Sequence, residues 1–157
     1  MRSIRLIWIG KTQFPFVQDG ISLYLKKLSH YIKVETEEIQ AAKYASGKVD
    51  QWRRQETEKL LKCLNSNELN VFLDENGTRQ TSIGLAQWFE KQMPLGLPRV
   101  NLIIGGAYGF EKSLLPANVT YLRLSDMTFT HQMVRLILLE QLYRAFTIIR
   151  GEPYHHV

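Results

Sequence analysis

The sequence predicts an α/β fold, a mostly parallel sheet with helices on both faces. Strand-like and helix-like segments alternate β-α-β-α-β-α-β-α-β-α along 157 residues, the order of sheets built from crossover units. The strands from Leu69 onward are continuous apolar runs, as strands buried on both faces must be. Three loops leave strand ends: Leu73-Asp74-Glu75, Gly105 to Gly109, and Ser125 to Phe129. In parallel sheets ligands sit beyond those carboxyl ends.

Residues 4–9 read as the first strand, closed by Gly10. Phe16, Ile21, Leu23, Leu25 and Leu28 set a helix whose wet side carries Lys26 and Lys27. Residues 34–39 form a second, more polar strand, and residues 41–48 a basic loop of low complexity. Asp50 is expected to cap a charged helix over about residues 51–64, ended by Asn65 and Asn67. Residues 69–73 make a third strand, stopped by the turn signal Asp74-Glu75-Asn76-Gly77. Ser82 is expected to cap a helix through Gln92, and Pro94, Gly96 and Pro98 break the chain after it. Residues 100–104 are the fourth strand, residues 111–115 a short helical turn and residues 121–124 the fifth strand.

Thr130 then caps the longest apolar helix, residues 132–149. Gly151 ends it and Pro153 forbids its return. Met133, Val134, Leu136, Ile137, Leu138, Leu139 and Leu142 cover most sides of this helix. A helix apolar on most sides must be buried on most sides, which predicts packing on the sheet on one side and on a second subunit on the other. The tail is Glu152-Pro153-Tyr154-His155-His156-Val157.

Composition agrees with one domain over residues 1–157, with 45% hydrophobic and 11% aromatic residues to build a core. No apolar run approaches the roughly 18 residues of a membrane span, and the N-terminus reads as a strand rather than a signal peptide. The lone Cys63 fits a reducing cytoplasm and an inert, buried thiol. Net charge is +5; residues 1–64 hold 12 Lys/Arg against 7 Asp/Glu, and residues 65–157 hold 8 against 8. The surplus in the first part suits a polyanionic partner, RNA first; an ordinary solvated surface is the alternative.

Gly105-Gly106-Ala107-Tyr108-Gly109-Phe110 is a glycine loop at a strand end, where backbone amides can approach a ligand. It is neither the dinucleotide fingerprint nor a P-loop, because Glu111 stands where the latter has glycine. His131 lies just past the cap Thr130, where a positive helix end favours a neutral imidazole. Glu111 and Asp126 are candidate bases or solvated loop acids. His155 and His156 are adjacent and point apart, so no metal site is expected.

Three ordered motifs, Ile103-Ile104-Gly105-Gly106 with Gly109-Phe110, Leu124 through His131, and Glu140 through Ala145 followed by Tyr154-His155, resemble one family over the whole chain. It is the bacterial large-subunit ribosomal RNA (pseudouridine-N3) methyltransferases of the SPOUT class. The resemblance implies an α/β domain with a C-terminal trefoil knot, active as a homodimer. It implies transfer of a methyl from S-adenosylmethionine to N3 of a pseudouridine in 23S ribosomal RNA, within the assembled ribosome in the cytoplasm, without metal, DNA or membrane. By motif, the donor would be held by Leu73, Gly105, Leu124, Ser125, Asp126, Met127, Thr128 and Phe129. His155 and Tyr154 become candidate catalytic groups, with Arg144 or Arg135 stabilising negative charge. The chain departs from the family at Ala107-Tyr108, where many members have Pro-Glu, and at Thr130, where many have Pro. A ribosome-binding protein of this fold without chemistry, and an enzyme using another nucleotide, are the alternatives.

Overall fold

In the computed structural model, which describes residues 1–43, 48–117 and 119–155, side-chain alternation along β1 (Ser3–Ile9) decides how the sheet is covered. Ile4, Leu6 and Trp8 enter the larger core, and Ile7 and Ile9 enter the smaller one. The other strands are β2 (Lys33–Ile39), β3 (Leu69–Arg79), β4 (Arg99–Ile104) and β5 (Thr120–Arg123). They form one five-stranded sheet in the order β2-β1-β4-β3-β5, every pair parallel. The α/β class and the parallel sheet are therefore as expected.

The helices are α1 (Pro15–Leu28), α2 (Val49–Lys62), α3 (Ser82–Gln92) and α4 (His131–Ile149). α4 packs between α1 and α3 over the larger core, where Leu138, Leu139, Leu142 and Ala145 meet Leu6, Leu102 and Phe89. α2 covers the other face, with Leu60 against Ile7, Phe72 and Ile103. Both faces are covered, three helices to one.

Several local expectations change. α2 starts at Val49 with no side-chain cap; Asp50 lies in its first turn and pairs with Arg53 at 2.9 Å. Thr81, not Ser82, caps α3 by accepting the Gly84 amide at 3.0 Å, while the Ser82 hydroxyl donates to Gln141 at 2.7 Å. The turn residues after Leu73 do not end β3. They form an irregularity, and the strand resumes with Thr78 opposite Leu122 and Arg79 opposite Arg123. Gly77 permits this, since a Cβ there would lie 2.7–2.8 Å from the Leu122–Arg123 backbone. Thr130 does cap α4, accepting the Met133 amide. Residues 44–47 of the basic loop expected at residues 41–48 lie outside the described residues.

The expectation for α4 is also revised. None of its residues is exposed in a single chain, because α1 and α3 flank it. Apart from single residues such as Leu95 and Met127, uncovered apolar side chains gather on and before α1: Phe16 is 59% exposed, Leu23 51% and Phe14 46%. Phe16 and Leu23 are two helical turns apart on one face. Among the described residues no helix is long and apolar enough to cross a membrane.

Candidate functional site

Register brings three chain segments to one height. Leu73 pairs with Ile104 on one side and with Leu122 on the other. The irregularity of β3 after Leu73 and the ends of β4 and β5 therefore lie side by side, and with the loops that follow β4 and β5 they enclose a cleft of about 740 Å³. Leu73, Gly105, Leu124, Ser125, Asp126, Met127, Thr128 and Phe129 all line it. Residues singled out from separate stretches of sequence are thus brought together. The same cleft is lined by Ile104, Asp74, Glu75 and Glu111, which the sequence also singles out, and by Leu122, Val134, Arg53, Lys112 and Arg123, which motif reasoning did not select. Strand register, absent from any local motif, is what places them there.

The glycine loop is closed on itself. The Gly109 amide donates to the Gly106 carbonyl at 3.1 Å, leaving Ala107 and Tyr108 at the corners. A Cβ on Gly105 would stand 3.1–3.2 Å from the Gly109 backbone. Glycine at 105 thus serves the closure of the loop, and through it the cleft wall. Tyr108, where the family more often has an acid, lies with its ring 6.0 Å from that of Trp52.

The loop after β5 is held by its own polar groups. Ser125 Oγ accepts the Met127 amide at 2.9 Å, and Arg123 Nε donates to the Ser125 carbonyl at 3.2 Å. Asp126 pairs with Arg79 at 2.9 Å and Arg123 at 3.1 Å. This leaves Met127, 72% exposed, and Phe129 turned to the cleft rim.

Neither candidate loop acid is a free base. Asp126 is bound by two arginines. Glu111 accepts from Ser113 at 2.7 Å and Arg53 at 3.1 Å, and these partners hold its carboxyl below the usual range. Asp74 behaves alike: burial would raise its carboxyl, but the Asn76 amide and Lys112 outweigh that and lower it. These carboxylates are thus each paired with a cation that lines the same cleft, Glu111 with Arg53, Asp74 with Lys112 and Asp126 with Arg123.

His131 lines the cleft from the first turn of α4. Burial, and then the neighbouring Arg135, hold its imidazole below its ordinary value, as expected of a neutral hydrogen-bonding group. Arg135 itself is fully buried: Nη2 donates to the Ile9 carbonyl and Nη1 to Thr12 Oγ1, both at 2.7 Å, and the guanidinium lies 5.2 Å from the Trp8 ring. Burial brings it down to about 10. With Gln132, which donates to the Lys11 carbonyl and accepts the Gln13 amide, it clamps the β1–α1 loop. Arg135 does not reach the cleft, so its expected role in stabilising a developing charge is replaced by a structural one.

Tyr154 and His155 are not in this cleft. Tyr154 folds back on α4, its ring 4.7 Å from Tyr143 and 4.8 Å from the Arg144 guanidinium, its hydroxyl donating to Glu140 at 3.2 Å. His155 Nδ1 lies 3.4 Å from Arg144 Nη1. Burial, with Tyr24 and Glu140 close by, raises the Tyr154 phenol; it keeps its proton at neutral pH and is no base. His156 and Val157 lie outside the described residues. Among the described residues no group of three or more His, Cys, Asp or Glu could hold a metal ion.

The family described as "Predicted SPOUT methyltransferase" matches residues 1–155. The chain is also similar to proteins named ribosomal RNA large subunit methyltransferase H. That of Geotalea daltonii is 44% identical over 153 residues, covering 98% of this chain and 99% of the relative. That of Trichlorobacter lovleyi is 41% identical with the same coverage. That of Christiangramia forsetii is 41% identical over 155 residues, again 98% of this chain and 99% of the relative.

Proposed function

This chain belongs to the SPOUT methyltransferase family, and from that premise we propose that it methylates N3 of a pseudouridine in large-subunit ribosomal RNA, on the assembled ribosome, using S-adenosylmethionine. The relatives' name supports the RNA, and the ribosome places the work in the cytoplasm. The observation that carries the donor site is the convergence of Leu73, Gly105 and residues 124–129 on one cleft.

The cleft fits that donor. Leu73, Leu122, Leu124, Met127 and Phe129 offer apolar walls to an adenine and a methionine chain. Backbone groups of the glycine loop and of residues 124–129 border it for the purine edge. S-adenosylmethionine supplies an electrophilic methyl on a sulfonium that is also the leaving group. The protein's part is to align a nucleobase with that methyl, exclude water and take the N3 proton. His155 is the group assigned to the proton, with Arg144 beside it to stabilise negative charge and Tyr154 to stack on the base. Incubation with labelled S-adenosylmethionine and ribosomes lacking the modification tests this directly. Label in pseudouridine N3 is expected; donor binding without transfer would leave a ribosome-binding protein of this fold.

The tail and the cleft of one chain are separated along α4. His131 and Val134 line the cleft, whereas Tyr154 packs at Glu140, Tyr143 and Arg144, roughly 9 Å or more further along the helix axis. A second copy would bring its tail to this cleft, so the active form is proposed to be a homodimer. Its apolar contact is assigned to Phe14, Phe16 and Leu23. Light scattering at micromolar concentration should give about twice 18.3 kDa, and Phe16→Glu with Leu23→Glu should give the monomer. A wild-type monomer would count against a shared site.

RNA docking is assigned to the basic N-terminal part, but to fewer residues than its charge suggests. Arg53 is paired with Asp50 and Glu111, and Arg54 with Glu58. Lys43 and Lys48 are exposed. Lys43→Glu with Lys48→Glu should weaken ribosome binding and lower its salt slope by about one per lost phosphate contact, leaving donor affinity alone. Reversal of Arg53 or Arg54 should matter less. Unchanged ribosome affinity would leave the surplus a solvated surface.

A further inference from the structure

Glu56 is the one acid among the buried polar residues described, 1% exposed. It reaches from α2 to the underside of the glycine loop, on the sheet face opposite α4. Its Oε1 accepts the Ala42 amide at 3.0 Å. A Cβ on Gly106 would collide with Glu56 Oε2 and lie 3.3 Å from its Cδ, with Ile9 Cγ2 at 3.5 Å. The space a side chain at position 106 would need is therefore taken by a carboxylate. Gly106 and His131 both line the cleft.

Burying a carboxylate is costly, and an apolar residue would fill the same space without that cost. The charge and the hydrogen bond are thus the properties to explain: one oxygen holds the Ala42 amide and the other lies under Gly106 in the cleft wall.

Resting on the methyl-donor site proposed above, we infer that Glu56 is a positioning residue of that site: its carboxylate, held by the Ala42 amide, sets where the glycine loop sits at Gly106. It touches neither donor nor nucleobase. It acts through Gly106, which its bulk requires to be glycine.

Size complementation tests this contact. Gly106→Ala should raise the dissociation constant for S-adenosylmethionine roughly tenfold or more, because overpacking displaces the loop. Adding Glu56→Asp, which withdraws the carboxylate by one methylene, should restore affinity to within about threefold of wild type, a coupling between touching residues that distant sites do not show. A double variant no better than Gly106→Ala, or a Gly106→Ala that binds normally, overturns the contact. Glu56→Gln keeps the volume, so combined with Gly106→Ala it should leave affinity as low as in Gly106→Ala alone; rescue by the isosteric amide as well would overturn the size argument. Failure of the wild type to bind S-adenosylmethionine would defeat the donor-site proposal instead, and the melting temperatures of Gly106→Ala and of the double variant with Glu56→Asp, which need no donor, would then decide the contact by themselves.

Discussion

Replacing Gly105 by Val is expected to weaken S-adenosylmethionine binding by one to two orders of magnitude while the chain still folds. Gly105 is buried at the end of β4, and a single Cβ would already stand 3.1–3.2 Å from the Cα, C and O atoms of Gly109. Those are backbone atoms, held by the Gly109 amide to the Gly106 carbonyl at 3.1 Å, and they cannot rotate away as a side chain would. Valine adds two further methyls, so the loop must open and the wall of the cleft moves with it. Overpacking a fitted site costs about 1–3 kcal/mol, which is one to two orders of magnitude in affinity. The core below should survive, since Leu102 and Ile103 keep their neighbours in β1 and β3, and the melting temperature should fall by only a few degrees. Met127→Ala is the contrast. It removes an exposed side chain at the rim and should weaken binding only severalfold. Titration calorimetry separates these cases, and unchanged affinity in Gly105→Val would put the donor elsewhere.

The sheet was legible because its strands are short apolar runs bounded by Gly, Pro and Asn, and the helix α4 because Thr130 and Gly151 bracket it. Caps were read less well. At residues 81 and 82 two adjacent hydroxyls compete, and only the backbone of Thr81 is extended as a cap must be; a sequence does not carry that choice. The turn signal at residues 74–77 is real, but β5 lies alongside and recaptures the chain at Thr78, a long-range event. Arg135 shows the same limit. Its type suggests a charge stabiliser, yet its helix phase points it inward at the Ile9 carbonyl. Glu56 had no local signal at all, because what makes it notable is a glycine fifty residues later. Periodicity has no term for threading either, so the trefoil knot rests on the resemblance alone.

Deleting residues 154–157 is expected to lower methylation by about two to four orders of magnitude, the range for losing a general base and its alignment, with donor affinity unchanged. A small loss of stability should accompany it. Tyr154 makes an edge contact with Tyr143 and lies under Arg144, and one such aromatic pair contributes about 0.5–1.5 kcal/mol. Tyr154→Phe should keep that packing and lose only the hydrogen bond to Glu140, whereas His155→Ala should lose the rate and leave the melting temperature alone. The direction in which the tail acts can be separated from whether it acts. A chain carrying Gly105→Val has a tail but a crippled donor site, and a chain lacking residues 154–157 has a donor site but no tail. At donor concentrations well below the dissociation constant of the Gly105→Val site, each alone should be nearly inactive. Unfolded and refolded together, half of the dimers pair one with the other, and each such dimer has one intact donor cleft facing one intact tail. About a quarter of wild-type activity should then return, as expected for random assembly of a two-fold dimer. A tail serving its own subunit would give no recovery, because in every chain either the cleft is crippled or the tail is missing; the distance along α4 between Val134 and the Tyr154 contacts predicts the recovery.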